Sequence, residues 1–161
     1  MDTNSAPKIE KFIEILKKSL QITEIKLVTE KLASTLTRWL INNDYPDIFA
    51  IEKSCVLMDP NKQARIIRCQ QQDLSVNAIK LIIKDGCEVN QLALSWNDCI
   101  QFTLADDLSL RSIKYQDEVI AQAKESEPET KQQQFEADFL IMSEILTALL
   151  KDLTAALAVK L

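Results

Sequence analysis

The stretch LALSWNDCIQFTLADDLSL, residues 92–110, decides how the chain is read, because two incompatible chemistries compete for it. Asp98, Asp106 and Asp107 fall within it beside Trp96 and Cys99, and crowded carboxylates are the hard oxygen ligands that Mg²⁺ or Ca²⁺ takes. The alternation points elsewhere. Leu92, Leu94 and Trp96 share one face of a strand, with Ala93 and Ser95 on the other, and Ile100, Phe102 and Leu104 line one face of a returning strand. Asn97-Asp98 makes a tight turn between them, since both residues tolerate left-handed backbone. Asp106-Asp107 makes a second turn before a third strand in SLRSIKY. The aspartates therefore sit at opposite ends of one strand, roughly 20 Å apart at about 3.3 Å per residue, too far for one metal. Cys99 has no nearby base to make it a nucleophile, and Trp96 has the alternation of a core aromatic. The stretch predicts an antiparallel meander with an apolar side.

Working outward, CVLMD and ARIIRCQ flank Pro60-Asn61-Lys62 and predict a hairpin with its turn near Asp59 to Gln63. A projecting hairpin of this kind carries Lys62, Arg65 and Arg68 toward solvent. DLSVNAIKLIIKDG predicts a helix capped by Asp73 or Ser75 and stopped at Gly86. Upstream, PKIEKFIEILKKSLQ is amphipathic from Pro7, with Asn4 or Ser5 as a cap and Lys11, Lys17 and Lys18 on its polar face. TEIKLV, residues 23–28, alternates as a short strand, and LASTLTRWLIN puts Leu32, Leu36, Trp39 and Leu40 on one helical stripe. Pro46 ends that helix by disfavouring helical backbone at Tyr45. ESEPET, residues 125–130, is a charged break. Beyond it a long helix runs from Lys131 to Val159, with Phe135, Phe139, Met142, Leu146, Leu149 and Leu153 spaced as a packing seam. Leu140, Ile145 and Leu150 widen the stripe, so the helix is expected to bury more than one side, across its own sheet or partly against a second subunit.

Composition removes several function classes. The lone glycine, Gly86, leaves no material for a phosphate-cradling glycine loop. Histidine is absent, which removes the commonest general base and most catalytic zinc sites. Carboxylate or lysine chemistry survives as a third-ranked enzyme reading. Cys55, Cys69, Cys87 and Cys99 show no CxxC spacing; with no signal peptide opening the chain, free thiols packed as small apolar residues in a reducing cytoplasm are expected. No stretch is apolar for long enough to span a bilayer as a helix. The net charge of −5 is unevenly spread: residues 1–40 carry seven basic against five acidic side chains, and residues 116–161 carry four against nine. An acidic total argues against general affinity for nucleic acid, but a local basic face can still attract phosphate. RIIRCQQQD, residues 65–73, is the best candidate for one. Arginines and glutamines hydrogen-bond phosphate oxygens without reading sequence; the alternative is a solvated loop after a strand.

LTRWL, RIIRCQQQDLS, LALSWNDCIQFTLADDLSLRSIKYQDE and FEADFLIMSEILTALL occur in this order and together resemble the recombination-associated RdgC family. The likeness covers residues 8–157. Members of that family are about twice this length, so the chain is similar to their C-terminal half and is expected to be a fragment. The resemblance implies a non-enzymatic protein without cofactors. It also implies a homodimeric, nucleoid-associated ring that encloses double-stranded DNA with little sequence preference and limits the access of RecA. On the residues matching the family's pattern, it implies DNA contacts at Arg68 with Gln70, Gln71 and Gln72, at Arg111 and Lys114, and at Lys17 and Lys18. Gln70 and Gln71 stand where relatives can carry lysine, and Ser112 replaces a third basic residue.

The expected fold is α+β: a meander and a projecting hairpin packed with a long C-terminal helix and shorter helices. Residues 1–50, 51–86 and 87–161 are expected as its subdivisions. Alone, the chain is expected to bind DNA weakly or not at all. A protein–protein module contacting the recombinase or a second subunit is the competing function.

Overall fold

In the computed structural model, residues 5–20, 32–61, 65–117, 119, 121 and 130–157 are described. They form helices α1 (Ala6–Leu20), α2 (Ala33–Asn42), α3 (Asn77–Lys84) and α4 (Lys131–Ala156). The strands are β1 (Phe49–Met58), β2 (Ile66–Cys69), β3 (Glu88–Trp96), β4 (Ile100–Ala105) and β5 (Leu110–Tyr115). The class is α+β. The chain divides into two compact units, residues 1–30 and 31–161. The strand expected over residues 23–28 lies outside the described residues.

In the first unit α1 starts at Ala6 with Pro7 in its first turn, where a missing N–H costs nothing. Ile9 and Ile13 are half-buried, while Phe12 and Ile15 are exposed.

In the second unit all strand pairs are antiparallel, in the order β2-β1-β3-β4-β5. The expected hairpin and meander are thus one sheet, because β1 pairs with β2 on one side and with β3 on the other. The boundary expected between residues 50 and 51 falls inside β1. Alternation works as the sequence indicates: Leu92, Leu94, Ile100, Phe102 and Leu104 are all buried on one side of the sheet. Leu36, Trp39 and Leu40 from α2, Ile79 from α3, and Leu149 and Leu153 from α4 join them in one cluster. Polar pins fix the helices to this side. The Val89 N–H donates to Thr37 Oγ1 at 2.8 Å, Trp96 Nε1–H to Asp152 Oδ2 at 3.1 Å, and the Tyr115 hydroxyl to the Met142 carbonyl at 3.3 Å.

The turns explain the local sequence. Asn97 and Asp98 both have positive φ, 47° and 51°, and the Cys99 N–H donates to the Trp96 carbonyl at 2.9 Å, a tight left-handed turn within the three-residue connection between Trp96 and Ile100. At the next turn the left-handed residue is Leu108, φ 64°, and Asp107 Oδ1 accepts from the Ser109 N–H. Neither aspartate of that turn adopts positive φ; Asp107 shapes it through its carboxylate instead.

Two helix ends depart from expectation or sharpen it. Neither Asp73 nor Ser75 caps α3. The N-cap is Val76, without a side-chain bond, and Asp73 Oδ1 instead accepts from the Ser75 N–H at 2.8 Å, forming a turn one step too early. At the other end Gly86 stops α3 as expected. Its N–H bonds the Ile83 carbonyl, and the Cys87 N–H bonds the Ile82 carbonyl, the paired bonds of a Schellman motif. Gly86 has φ +94°, with nothing within 4 Å of where a Cβ would stand. Gly86→Ala therefore meets no clash and costs only the left-handed backbone, about 1–2 kcal/mol in urea unfolding.

The long helix opens on a capping box, Thr130 and Gln133 bonding each other's backbone N–H. Its seam is buried only in its later half. Leu149 and Leu153 are in the core, whereas Phe135 and Phe139 are 68% and 64% exposed. Leu140 and Leu150 are exposed too, so the expectation that the helix buries more than one side fails in this chain. The pins at Met142 and Asp152 show why: the sheet meets α4 only from its middle onward.

Candidate nucleic-acid interface

Because side chains alternate along a strand, the face opposite the core can be read from the ladder. Arg68 stands opposite Val56, and Val56 opposite Gln91. Two residues on from Gln91, Ala93 stands opposite Thr103, and Thr103 opposite Arg111. Gln101 stands opposite Lys114. Arg68, Gln91, Gln101, Thr103, Arg111 and Lys114 thus share the open face of the sheet, while the positions between them, such as Leu92 and Phe102, enter the core.

Arg111 and Lys114 are three apart, a spacing that regular alternation would send to opposite faces. A bulge reconciles them. Between the pairs Gln101–Lys114 and Thr103–Arg111, β5 holds one residue more than β4, and Ser112 takes a left-handed φ of 52°. The residue that interrupts the basic run is the one that brings its neighbours to the same side.

Arg111 is oriented from the preceding turn: Nη2 lies 3.3 Å from Asp107 Oδ2, and Nε–H donates to Ser109 Oγ at 3.0 Å. Arg68 and Lys114 are exposed, and among the described residues neither has an ion-pair partner. Gln70 joins Arg68, Gln91 and Thr103 around a cleft of about 130 Å³ on this face.

The other candidates are placed differently. Gln71, at φ 52°, and Gln72 line a separate depression with Lys53 and Asp73, so the glutamine run splits between two sites. Arg65 lies 2.7 Å from Asp85 and 4.0 Å from the buried Asp59, tying the hairpin to the end of α3. Lys62 lies outside the described residues. Lys17 and Lys18 belong to α1 in the other unit, where Lys18 pairs with Glu14 at 2.9 Å.

The aspartates that suggested a metal serve the turns. Asp98 lies before β4, and Asp106 and Asp107 lie after it. Among the described residues no group of three or more His, Cys, Asp or Glu could hold a metal ion. Partial burial raises the pKa of the Asp107 carboxyl, but the Ser109 hydroxyl and N–H and the Arg111 charge outweigh it, leaving the pKa below the usual 3.8. A depressed folded-state pKa gives stability that is complete above the unfolded value and is lost as pH falls through the folded one. NMR titration is expected to place the Asp107 midpoint below that of an ordinary aspartate, and Ser109→Ala is expected to move it up.

The fold and this face define an α+β domain with a helix-covered side and a polar, arginine-bearing open side. Sequence comparison makes the assignment specific: a family model described as "Putative exonuclease, RdgC" matches residues 1–160. The chain is 35% identical over 159 residues to the recombination-associated protein RdgC of Yersinia enterocolitica, covering 98% of this chain and 52% of that protein. The like-named proteins of Yersinia pestis and Yersinia pseudotuberculosis match at the same identity and coverage. The chain belongs to the RdgC family and spans about half the length of the curated relatives it matches. Among the described residues no helix is long and apolar enough to cross a membrane.

Proposed function

We propose that this chain is part of a non-sequence-specific DNA-binding protein, and that the open face of its sheet contacts phosphate. The observation that carries this is the gathering of Arg68, Arg111 and Lys114 on one face with Gln91, Gln101 and Thr103. Such groups bond phosphate oxygens while carrying no base information. The acidic excess of residues 116–161, nine side chains against four basic ones, repels the duplex and so helps to orient the encounter. In the whole protein a homodimeric ring closing this face around double-stranded DNA would hold the duplex and keep RecA from it, in the cytoplasm at the nucleoid.

A contact with protein has its own support. Phe135 and Phe139 stack at 6.3 Å on the exposed half of α4, beside exposed Leu140, and contiguous exposed apolar surface marks an interaction site. A second subunit is the partner this reading names; a module that binds the recombinase without DNA is the competing one.

Gel shifts with duplex DNA at two salt concentrations, beside light scattering on the chain, test these readings together. The expected result is weak binding that collapses with salt, since each phosphate contact releases counterions. Recombinase binding that persists without DNA would favour the competing module. No Mg²⁺-dependent degradation of DNA is expected; turnover abolished by Asp106→Ala and Asp107→Ala would replace the binding reading with an enzymatic one.

A further inference from the structure

We propose that Cys55 and Cys69 are a redox modification site, a thiol pair that a peroxide converts to a reversible disulfide joining the edge strand of the sheet to its neighbour. The two residues stand directly opposite each other in the β1–β2 ladder. Opposed residues of an antiparallel pair project to the same face with Cβ atoms about 4.5–5.5 Å apart. Both side chains are buried, 3% and 4% exposed, and the Cys69 thiol is one of the groups that raise the pKa of Cys55. A disulfide wants Cβ atoms about 3.5–4.5 Å apart, so the bond draws the strands together by about an ångström. The contraction stores strain, and strained disulfides are the easily reduced ones.

The pairing is specific. Cys87 precedes Val89, which stands opposite Leu57, so it lies further along the ladder than either partner. Cys99 lies past the far end of β3, roughly 30 Å from Cys87 at about 3.3 Å per residue. Neither has a cysteine facing it in the registers of the sheet.

The chemistry balances. One thiol gives up its proton and attacks hydrogen peroxide, the O–O bond breaks, and the departing hydroxide takes that proton to become water as a sulfenic acid forms; the second thiol displaces the sulfenic oxygen as another water. The two cysteines lose two protons and two electrons, and the peroxide takes them. Burial pushes the Cys55 thiol up to about 12, so in the closed sheet Cys55 is held as the unreactive thiol at neutral pH. Attack becomes possible when β2 opens. That strand is four residues long and, among the described residues, lies at the sheet edge and pairs with a single neighbour, the kind of element that opens locally first. The bond closes the loop from residue 55 to residue 69 and tethers the backbone next to Arg68. The inference does not rest on DNA binding, since an oxidised chain with unchanged DNA affinity would still carry the link.

The test is peptide mapping of the full chain after native treatment with hydrogen peroxide, alkylation of the remaining thiols and digestion without reduction. The expected result is a Cys55–Cys69 linked peptide, with Cys87 and Cys99 alkylated, and loss of the link on incubation with reduced glutathione. The double variant Cys87→Ser with Cys99→Ser should keep the link, and Cys69→Ala should abolish it. Should Cys69→Ala fail to fold, the wild-type map decides alone. Four alkylated thiols, a link through Cys87 or Cys99, or sulfinic acid at Cys55 or Cys69 without a link would each overturn the proposal.

Discussion

Replacing Arg68, Arg111 and Lys114 together by alanine is expected to flatten the salt dependence of duplex-DNA binding and remove most of the affinity at low ionic strength. Each phosphate contact contributes about 0.9 to the slope of log K against log salt, so losing three cations reduces the slope by up to about 2.7. All three share the open face of the sheet, and two of them have no ion-pair partner among the described residues. Arg65→Ala is the internal control. Its guanidinium is engaged by Asp85 and Asp59, so removing it should lower folding stability and leave the salt slope alone. Equal slopes for the triple variant and the parent chain would move the phosphate contacts off this face.

Trp39→Ala is expected to be the most destabilising single change, at about 3–5 kcal/mol in urea denaturation. A domain of this size has about 5–15 kcal/mol in total, so the variant would be close to unfolding. Trp39 is 1% exposed, with ring centroids 6.1 Å from Tyr45 and 6.0 Å from Phe49. Truncation leaves a cavity between α2 and the strand that follows it. Phe139→Ala removes an aromatic ring from an exposed site and is expected within about 0.5 kcal/mol of the parent. Comparable losses in the two variants would mean that the exposed half of α4 is covered in the chain in solution.

Much of the architecture was legible because it depends on periodicity. Leu92, Leu94 and Trp96, and then Ile100, Phe102 and Leu104, alternate in the sequence and enter the core in that order. Gly86 was legible as a stop because few other residues accept its backbone. The cap of α3 was misread for a local reason: Asp73 can close a turn on Ser75 as readily as it can cap a helix, and sequence spacing does not choose between them. The candidate site was only half legible. Its residue types stood out at Arg68, Arg111 and Lys114, but their common face depends on partners from other strands. Gln91, Gln101 and Thr103 were missed altogether; they sit at the outward positions of strands read for their inward ones. The engagement of Arg65 was invisible because Asp85 approaches only when α3 folds back on the hairpin.

By itself, then, the sequence determined the α+β class, the meander and its turns, and the family, since each rests on local periodicity, backbone preference or long ordered identity. Tertiary structure alone decided that hairpin and meander form one sheet and that Ser112 bulges to align Arg111 with Lys114. It also decided that Cys55 faces Cys69 and that α4 leaves Phe135 and Phe139 uncovered. These are matters of register and reach between segments far apart in the chain, and local preferences carry no information about which residue a strand will meet across the ladder.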